Sequence, residues 1–199
     1  MPAGFKRLAR CLSSVWLLTW SLSQVHANET QPAFFVELVD HRGIPLSVQR
    51  FLGKPSIVHF GFTHCPVVCP TTLAEVTRVM RALGAQADAV NFIFVTVDPE
   101  RDSPSVLRDY LSVFDERIVG VTGPAAAIER FAAHFKAGFA KRPALGGGDY
   151  DMDHAVFGYL KDGQWASVGT VYMGSGADES FVSQQLQRLI APAEAAGRG

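Results

Sequence analysis

Apolar positions along the chain follow two periods, and the changes between them mark its elements. Ala33 to Leu38 and Ile44 to Val48 flank Asp40-His41-Arg42-Gly43, which predicts a β-hairpin with His41 solvated at its turn. Ser56-Ile57-Val58-His59-Phe60 reads as a short buried strand, with His59 a hydrogen-bonded core histidine. Leu73, Val76, Met80 and Leu83 then repeat at helical spacing. Thr72 with Glu75 makes a capping-box start, and Gly84 can stop the helix. Asn91 to Val97 is a second strand, rich in β-branched and aromatic residues. Ser103 with Pro104 opens a helix whose apolar face is Val106, Leu107, Tyr110, Leu111 and Phe114. Ile118 to Thr122 predicts a short strand, and Ile128, Phe131, Ala132 and Phe135 a further helix with His134 at its boundary. Lys141 to Asp153 reads as a loop centred on Gly146-Gly147-Gly148. Two strand-like runs follow, His154 to Leu160 and Trp165 to Met173, joined by a turn containing Asp162-Gly163. Phe181, Val182, Gln185, Leu186, Leu189 and Ile190 close the chain with an amphipathic helix.

This order, ββ then βαβαβα then ββα, predicts an α/β domain with a mixed central sheet and flanking helices. A cysteine pair directly after the first βαβ strand, with a closing ββα, points to a thioredoxin-like fold. No internal repeat or domain boundary interrupts residues 28–191, and an Ala/Gly-rich tail over 192–199 is expected to be flexible.

Composition changes the picture at the N-terminus. Lys6, Arg7 and Arg10 precede an uncharged, mostly apolar run from Cys11 to Leu22, and Val25-His26-Ala27 offers a cleavage site before Asn28. Residues 1–27 are therefore expected to be a signal peptide, cleaved or kept as an anchor, and the protein exported. The remaining chain carries 15 basic and 19 acidic residues, which argues against nucleic acid as a partner. It keeps only Cys65 and Cys69, too few for a disulfide scaffold.

Those two thiols carry the candidate chemistry. They sit in Gly61-Phe62-Thr63-His64-Cys65-Pro66-Val67-Val68-Cys69-Pro70-Thr71-Thr72, at a strand-to-helix turn. Each is followed by proline, so neither lies deep in a helix, and the second falls near a helix N-terminus, where a thiolate is favoured. A close thiol pair can bind a soft metal ion or cycle between dithiol and disulfide. Three intervening residues, rather than the two of thioredoxin motifs, suit two sulfurs flanking one metal. Two thiolates can hold Cu(I), and an added imidazole would also admit Cu(II). His154, at the junction that lies beside the cysteine turn in thioredoxin-like folds, is the preferred third ligand. His64 is adjacent in sequence but is expected to point away.

Three stretches together resemble the Sco/SenC family of copper-binding assembly factors for cytochrome c oxidase. They are the cysteine motif, Val97-Asp98-Pro99-Glu100-Arg101-Asp102-Ser103-Pro104, and Asp149-Tyr150-Asp151-Met152-Asp153-His154. The resemblance covers nearly all of the chain after the signal. It implies copper bound by Cys65, Cys69 and His154, and delivery to the dinuclear copper centre of the oxidase or thiol reduction of that centre's cysteines. The client would be the copper-accepting, membrane-associated subunit of a respiratory oxidase or another periplasmic copper protein. The protein itself would be periplasmic, with or without a tether to the inner membrane. Where the family usually has an acidic residue after Cys-Pro, this chain has Val67. Asp98 and Arg101 are expected to brace the cysteine turn, unless they form a solvated ion-paired turn. Asp153 is expected to tune His154, and the loop over 146–153 reads as a gate over the metal or as a plain flexible loop. A thiol-disulfide oxidoreductase using Cys65 and Cys69 without copper is the competing reading, and those two residues would form the disulfide on oxidation.

Overall fold

The computed structural model of the protein describes residues 32–144, 149–173 and 179–196. Residues 1–27, read above as a signal peptide, and Gly146 to Gly148 lie outside them. Three parallel strands form the middle of a six-stranded sheet: β2 (Ser56–Gly61), β3 (Asn91–Thr96) and β4 (Ile118–Thr122). β1 (Val39–Asp40) adds antiparallel to β4 at one edge, and β7 (Phe157–Lys161) with β8 (Ser167–Tyr172) add antiparallel to β2 at the other. The spatial order is β1-β4-β3-β2-β7-β8. Every residue of β2 is buried, as expected for a parallel strand covered on both faces.

Side-chain alternation along β2 sends neighbouring residues to opposite layers. Ile57 faces Val76, Val79 and Met80 of α1 (Val68–Leu83). Phe60 packs against Phe131 of α3 (Ala125–His134) and against Phe135 just after it. α2 (Pro104–Leu111) lies on the α1 side, where Tyr110 meets Phe94, and α4 (Glu179–Ala196) packs beside α1. The α3 side is aromatic: Phe35, Phe51, Phe131 and Trp165 are buried there, each such side chain contributing about 1.5–3 kcal/mol. Lys161 is buried beside them. Its amine donates to Ser167 Oγ at 2.9 Å and approaches His134 Nε2 at 3.2 Å, with Phe135 at 4.7 Å.

Five local expectations change. The hairpin over 33–48 shrinks to a tight turn, in which Leu46 N donates to Leu38 O and Asp40 N to Ile44 O. Ala33–Phe35 and Val48–Arg50 become 3₁₀ turns. His41 is not merely solvated there: its Nδ1 accepts from Gly120 N at 2.9 Å. α1 begins one turn before the capping box, because Pro70 in its first turn lacks only an N–H that would have no helical partner anyway. Thr72 is consequently buried, and its hydroxyl donates to Met173 O instead of capping. The expected 141–153 loop contains a two-stranded ribbon, β5 (Phe139–Arg142) with β6 (Asp151–His154), pairing Phe139 with His154 and Arg142 with Asp151. Its polar sequence hid it, since only Met152 of the ribbon is fully buried. The last helix also continues to Ala196, into the stretch read as a tail.

His59 lies in the core; the Phe157 backbone interacts with its ring, but among the described residues no hydrogen bond of standard geometry reaches either ring nitrogen. Burial first, then the charge of His154, push its pKa down to about 4, so its ring is neutral.

Candidate metal centre

The cysteine turn is built from the end of β2. Gly61 has no room for a side chain: a Cβ there would lie 2.6 Å from the Phe94 ring and 2.9 Å from Cys69 Sγ. After it, Thr63 is tied down by Asp102, which accepts from Thr63 N at 3.0 Å and from Thr63 Oγ1 at 2.5 Å. Asp102 is 0% exposed and also accepts from Thr96 Oγ1 at 2.6 Å. Cys65 then sits half-buried, and Cys69 is the second residue of α1 and 0% exposed. Both are free thiols, and Cys69 N lies 3.4 Å from Cys65 Sγ.

The pair divides its protons unequally. The Cys69 thiol donates to Cys65, and the N–H groups of Cys69, Val67 and Val68 point at the same sulfur. Together they outweigh desolvation and lower the Cys65 pKa from 9.0 to about 5. Donating to that thiolate, together with burial, pushes the Cys69 thiol up. At neutral pH the pair therefore holds one proton and one negative charge. Alkylation of the reduced protein, followed by mass spectrometry, is expected to modify Cys65 with half-maximal rate near pH 5, with Cys69 protected. Because the folded-state value is depressed, the thiolate's contribution to stability is fully present above the ordinary thiol pKa and lost as pH falls through about 5.

His154 ends β6, on the ribbon rather than on a strand of the main sheet. It is half-buried, with Phe62 edge-on at 5.8 Å between ring centroids. Its Nδ1 lies 3.0 Å from Ala155 O. A carbonyl only accepts, so Nδ1 carries a proton and a neutral ring leaves its lone pair on Nε2. Asp153 is exposed and, as the adjacent strand residue, projects to the other face of the ribbon. His64 points elsewhere, its Nδ1 3.1 Å from Thr63 Oγ1 and 4.0 Å from Asp102 Oδ1. Among the described residues, no three His, Cys, Asp or Glu side chains stand close enough together to hold a metal ion. The structure thus assembles the dithiol and leaves His154 apart from it.

The turn after β3 serves both halves. The Asp98 carboxylate is buried, not solvated, and accepts from the Arg101 guanidinium and from Tyr150 Oη at 2.7 Å. Arg101 also donates to Tyr150 O at 3.2 Å and stacks 3.8 Å from the Tyr150 ring centroid. Asp98 and Arg101 therefore brace the His154 ribbon, whereas Asp102 braces the cysteine turn. Sequence reasoning missed Asp102, Thr63, Thr96 and Tyr150 as site residues; the alternation of acids along 98–102 gave no sign of which were buried. It also missed Tyr110, whose buried hydroxyl has no hydrogen-bond partner among the described residues and whose pKa is raised by burial and then by Cys69 and Cys65 nearby.

A family model described as SCO1/SenC matches residues 24–191. The chain belongs to the SCO1/SenC family. Among solved SCO1/SenC structures, Bradyrhizobium japonicum ScoI with copper bound is 38% identical, with a TM-score of 0.70, covering 77% of this chain and 96% of that one. Yeast Sco1 with copper bound is 31% identical, with a TM-score of 0.69, covering 82% and 92%. The mouse mitochondrial SCO2 homolog is 33% identical over 156 residues, 77% of this chain and 60% of that protein. The chain thus spans less than two thirds of that relative. A SCO2-like protein of Rickettsia felis is 33% identical over 147 residues, 72% of this chain and 70% of its own. The SCO1/SenC likeness accounts for the thioredoxin-like arrangement of sheet and helices around the cysteine turn.

Proposed function

We propose that this protein is an exported, periplasmic copper chaperone. It holds one copper ion through Cys65, Cys69 and His154 and assists assembly of the dinuclear copper centre of cytochrome c oxidase. The observation that carries the reading is the dithiol at the start of α1, with one sulfur already charged near neutral pH. Two soft sulfur donors fit Cu(I), and the free Nε2 of His154 fits either oxidation state. Relatives of 31% and 38% identity have been solved with copper bound, which supports the metal. When bound, copper is the cargo; the chain's own part is to present thiolates, orient an imidazole and release both to an acceptor. Val67, 61% exposed beside the pair, offers that acceptor an apolar contact in place of a carboxylate.

Anaerobic Cu(I) titration of the reduced protein against a competing chelator tests the reading. One copper per chain is expected, with His154→Ala weakening it at least about tenfold. Binding indifferent to His154→Ala would remove the imidazole from the site.

One observation favours a second reading. An accessible low-pKa thiolate backed by a buried thiol is also the arrangement of a thiol-disulfide oxidoreductase. Cys65 S⁻ would attack a client disulfide, releasing one client thiolate. Cys69, after losing its proton, would displace the second, leaving a Cys65–Cys69 disulfide and a reduced client.

A further inference from the structure

We propose that Tyr150 is a positioning residue for His154, tethering the ribbon to the same turn that holds the cysteines. The inference rests on the copper reading of Cys65, Cys69 and His154. The segment Asp98 to Asp102 has two buried carboxylates facing different elements. Asp102 holds Thr63, two residues before Cys65. Asp98, four residues earlier, holds Tyr150 Oη, four residues before His154. The turn between them is internally bonded, since Arg101 N and Asp102 N both donate to Asp98 O. One short rigid piece of backbone therefore sets where the thiols and the imidazole stand relative to each other.

The contacts around Tyr150 make this tether specific. Arg101 lies over the Tyr150 ring at 3.8 Å on one side and 6.0 Å from the Phe62 ring on the other. Phe62 in turn meets His154 edge-on. Lys141, on the facing strand of the ribbon, lies 4.5 Å from the Tyr150 ring and pairs with Glu100 at 2.6 Å. The ribbon is not part of the main sheet, so β5 and β6 have no strand partner besides each other among the described residues. A two-stranded ribbon is marginal by itself and takes its position from such side-chain ties. The hydroxyl bond to Asp98 is charge-assisted and buried at the acceptor, which makes it the strongest tie that a single-atom change can remove.

Tyr150→Phe removes that bond and keeps the ring against Arg101 and Lys141. The test uses amide hydrogen exchange of the reduced, metal-free protein and a double-mutant cycle on Cu(I) affinity. In Tyr150→Phe, amides of 139–142 and 151–154 are expected to exchange roughly tenfold faster, with β2 and β3 unchanged. Tyr159→Phe, which removes a hydroxyl on β7, should leave ribbon exchange as in the parent. In the copper cycle, His154→Ala should cost less in the Tyr150→Phe background than in the parent, because the ring is no longer held in place. A tyrosine that only stabilised the fold would leave the two penalties additive. Additive penalties, or unchanged ribbon exchange, would overturn the proposal. A parent protein that binds no copper, or binds it regardless of His154, overturns the copper reading instead, and the exchange measurement alone then decides the tether.

Discussion

Cys69→Ser is expected to abolish competitive Cu(I) binding while the chain stays folded. Cys69 Sγ is the sulfur set in the protein interior, against Phe94 and the bare Cα of Gly61. An oxygen there is a hard, weakly acidic donor that does not replace a soft thiolate. The loss should exceed the roughly 10–100-fold that follows removal of an outer-shell partner, since a ligand itself is gone. The swap is small in volume and keeps a hydroxyl donor toward Cys65, so the cost of a buried hydroxyl in place of the thiol should stay within about 1–3 kcal/mol. It should also leave Cys65 reactive at low pH, because the N–H groups of Val67, Val68 and Cys69 remain. Chelator competition, thermal unfolding and the pH profile of alkylation separate these effects. Copper held at parental affinity in the folded variant would remove Cys69 from the site. The same variant addresses the oxidoreductase reading, because without Cys69 a mixed disulfide between Cys65 and a client cannot be resolved and should accumulate.

Asp102→Ala is the second large effect, and it falls on stability and site geometry together. The carboxylate satisfies Thr63 N, Thr63 Oγ1 and Thr96 Oγ1 while fully buried. Removing it leaves a backbone N–H and two hydroxyls without their acceptor, each costing about 1–3 kcal/mol if it finds no other. Relaxation and entering water recover part of this, so a net loss of about 3–4 kcal/mol is expected. For a domain of this size that lowers Tm by roughly 10 °C. The cysteine turn should loosen more than the sheet, because Thr63 loses both ties to the turn after β3 at once. Faster alkylation of Cys69, protected in the parent, would register that loosening. A Tm within 2 °C of the parent, judged against the same per-kcal scale, would show that Asp102 does not brace the turn.

Asp102 also shows where the sequence stops being informative. Asp98, Glu100, Arg101 and Asp102 look alike in a string: charged residues at a strand's end. Their spacing allows either a solvated turn or a brace. Burial decides, and burial depends on α2, on β4 through Thr122, and on the returning ribbon. Thr122 Oγ1 donates to Asp102 O at 2.9 Å across a gap of twenty residues. No local pattern encodes that contact. The ribbon was hidden for a related reason. Alternation reveals a strand when one face is apolar, and β5–β6 has no such face: it pairs Arg142 with Asp151, sets an exposed Ala140 against Asp153, and fully buries only Met152.

The sequence by itself determined the three parallel strands, the α2 cap at Ser103 and the thiol pair at a helix start. Each rests on short-range physics: continuous apolar runs, a hydroxyl bonding Val106 N, and prolines that keep both cysteines out of a helix interior. It also made His154 the preferred imidazole over His64, through its place at a junction in the fold. Only the tertiary structure decided which acid braces which arm, which sulfur carries the charge, and that His154 rides on a separate ribbon. Those are long-range outcomes. They depend on desolvation and on partners brought together by the closing of the sheet, and neither acts until the chain has folded.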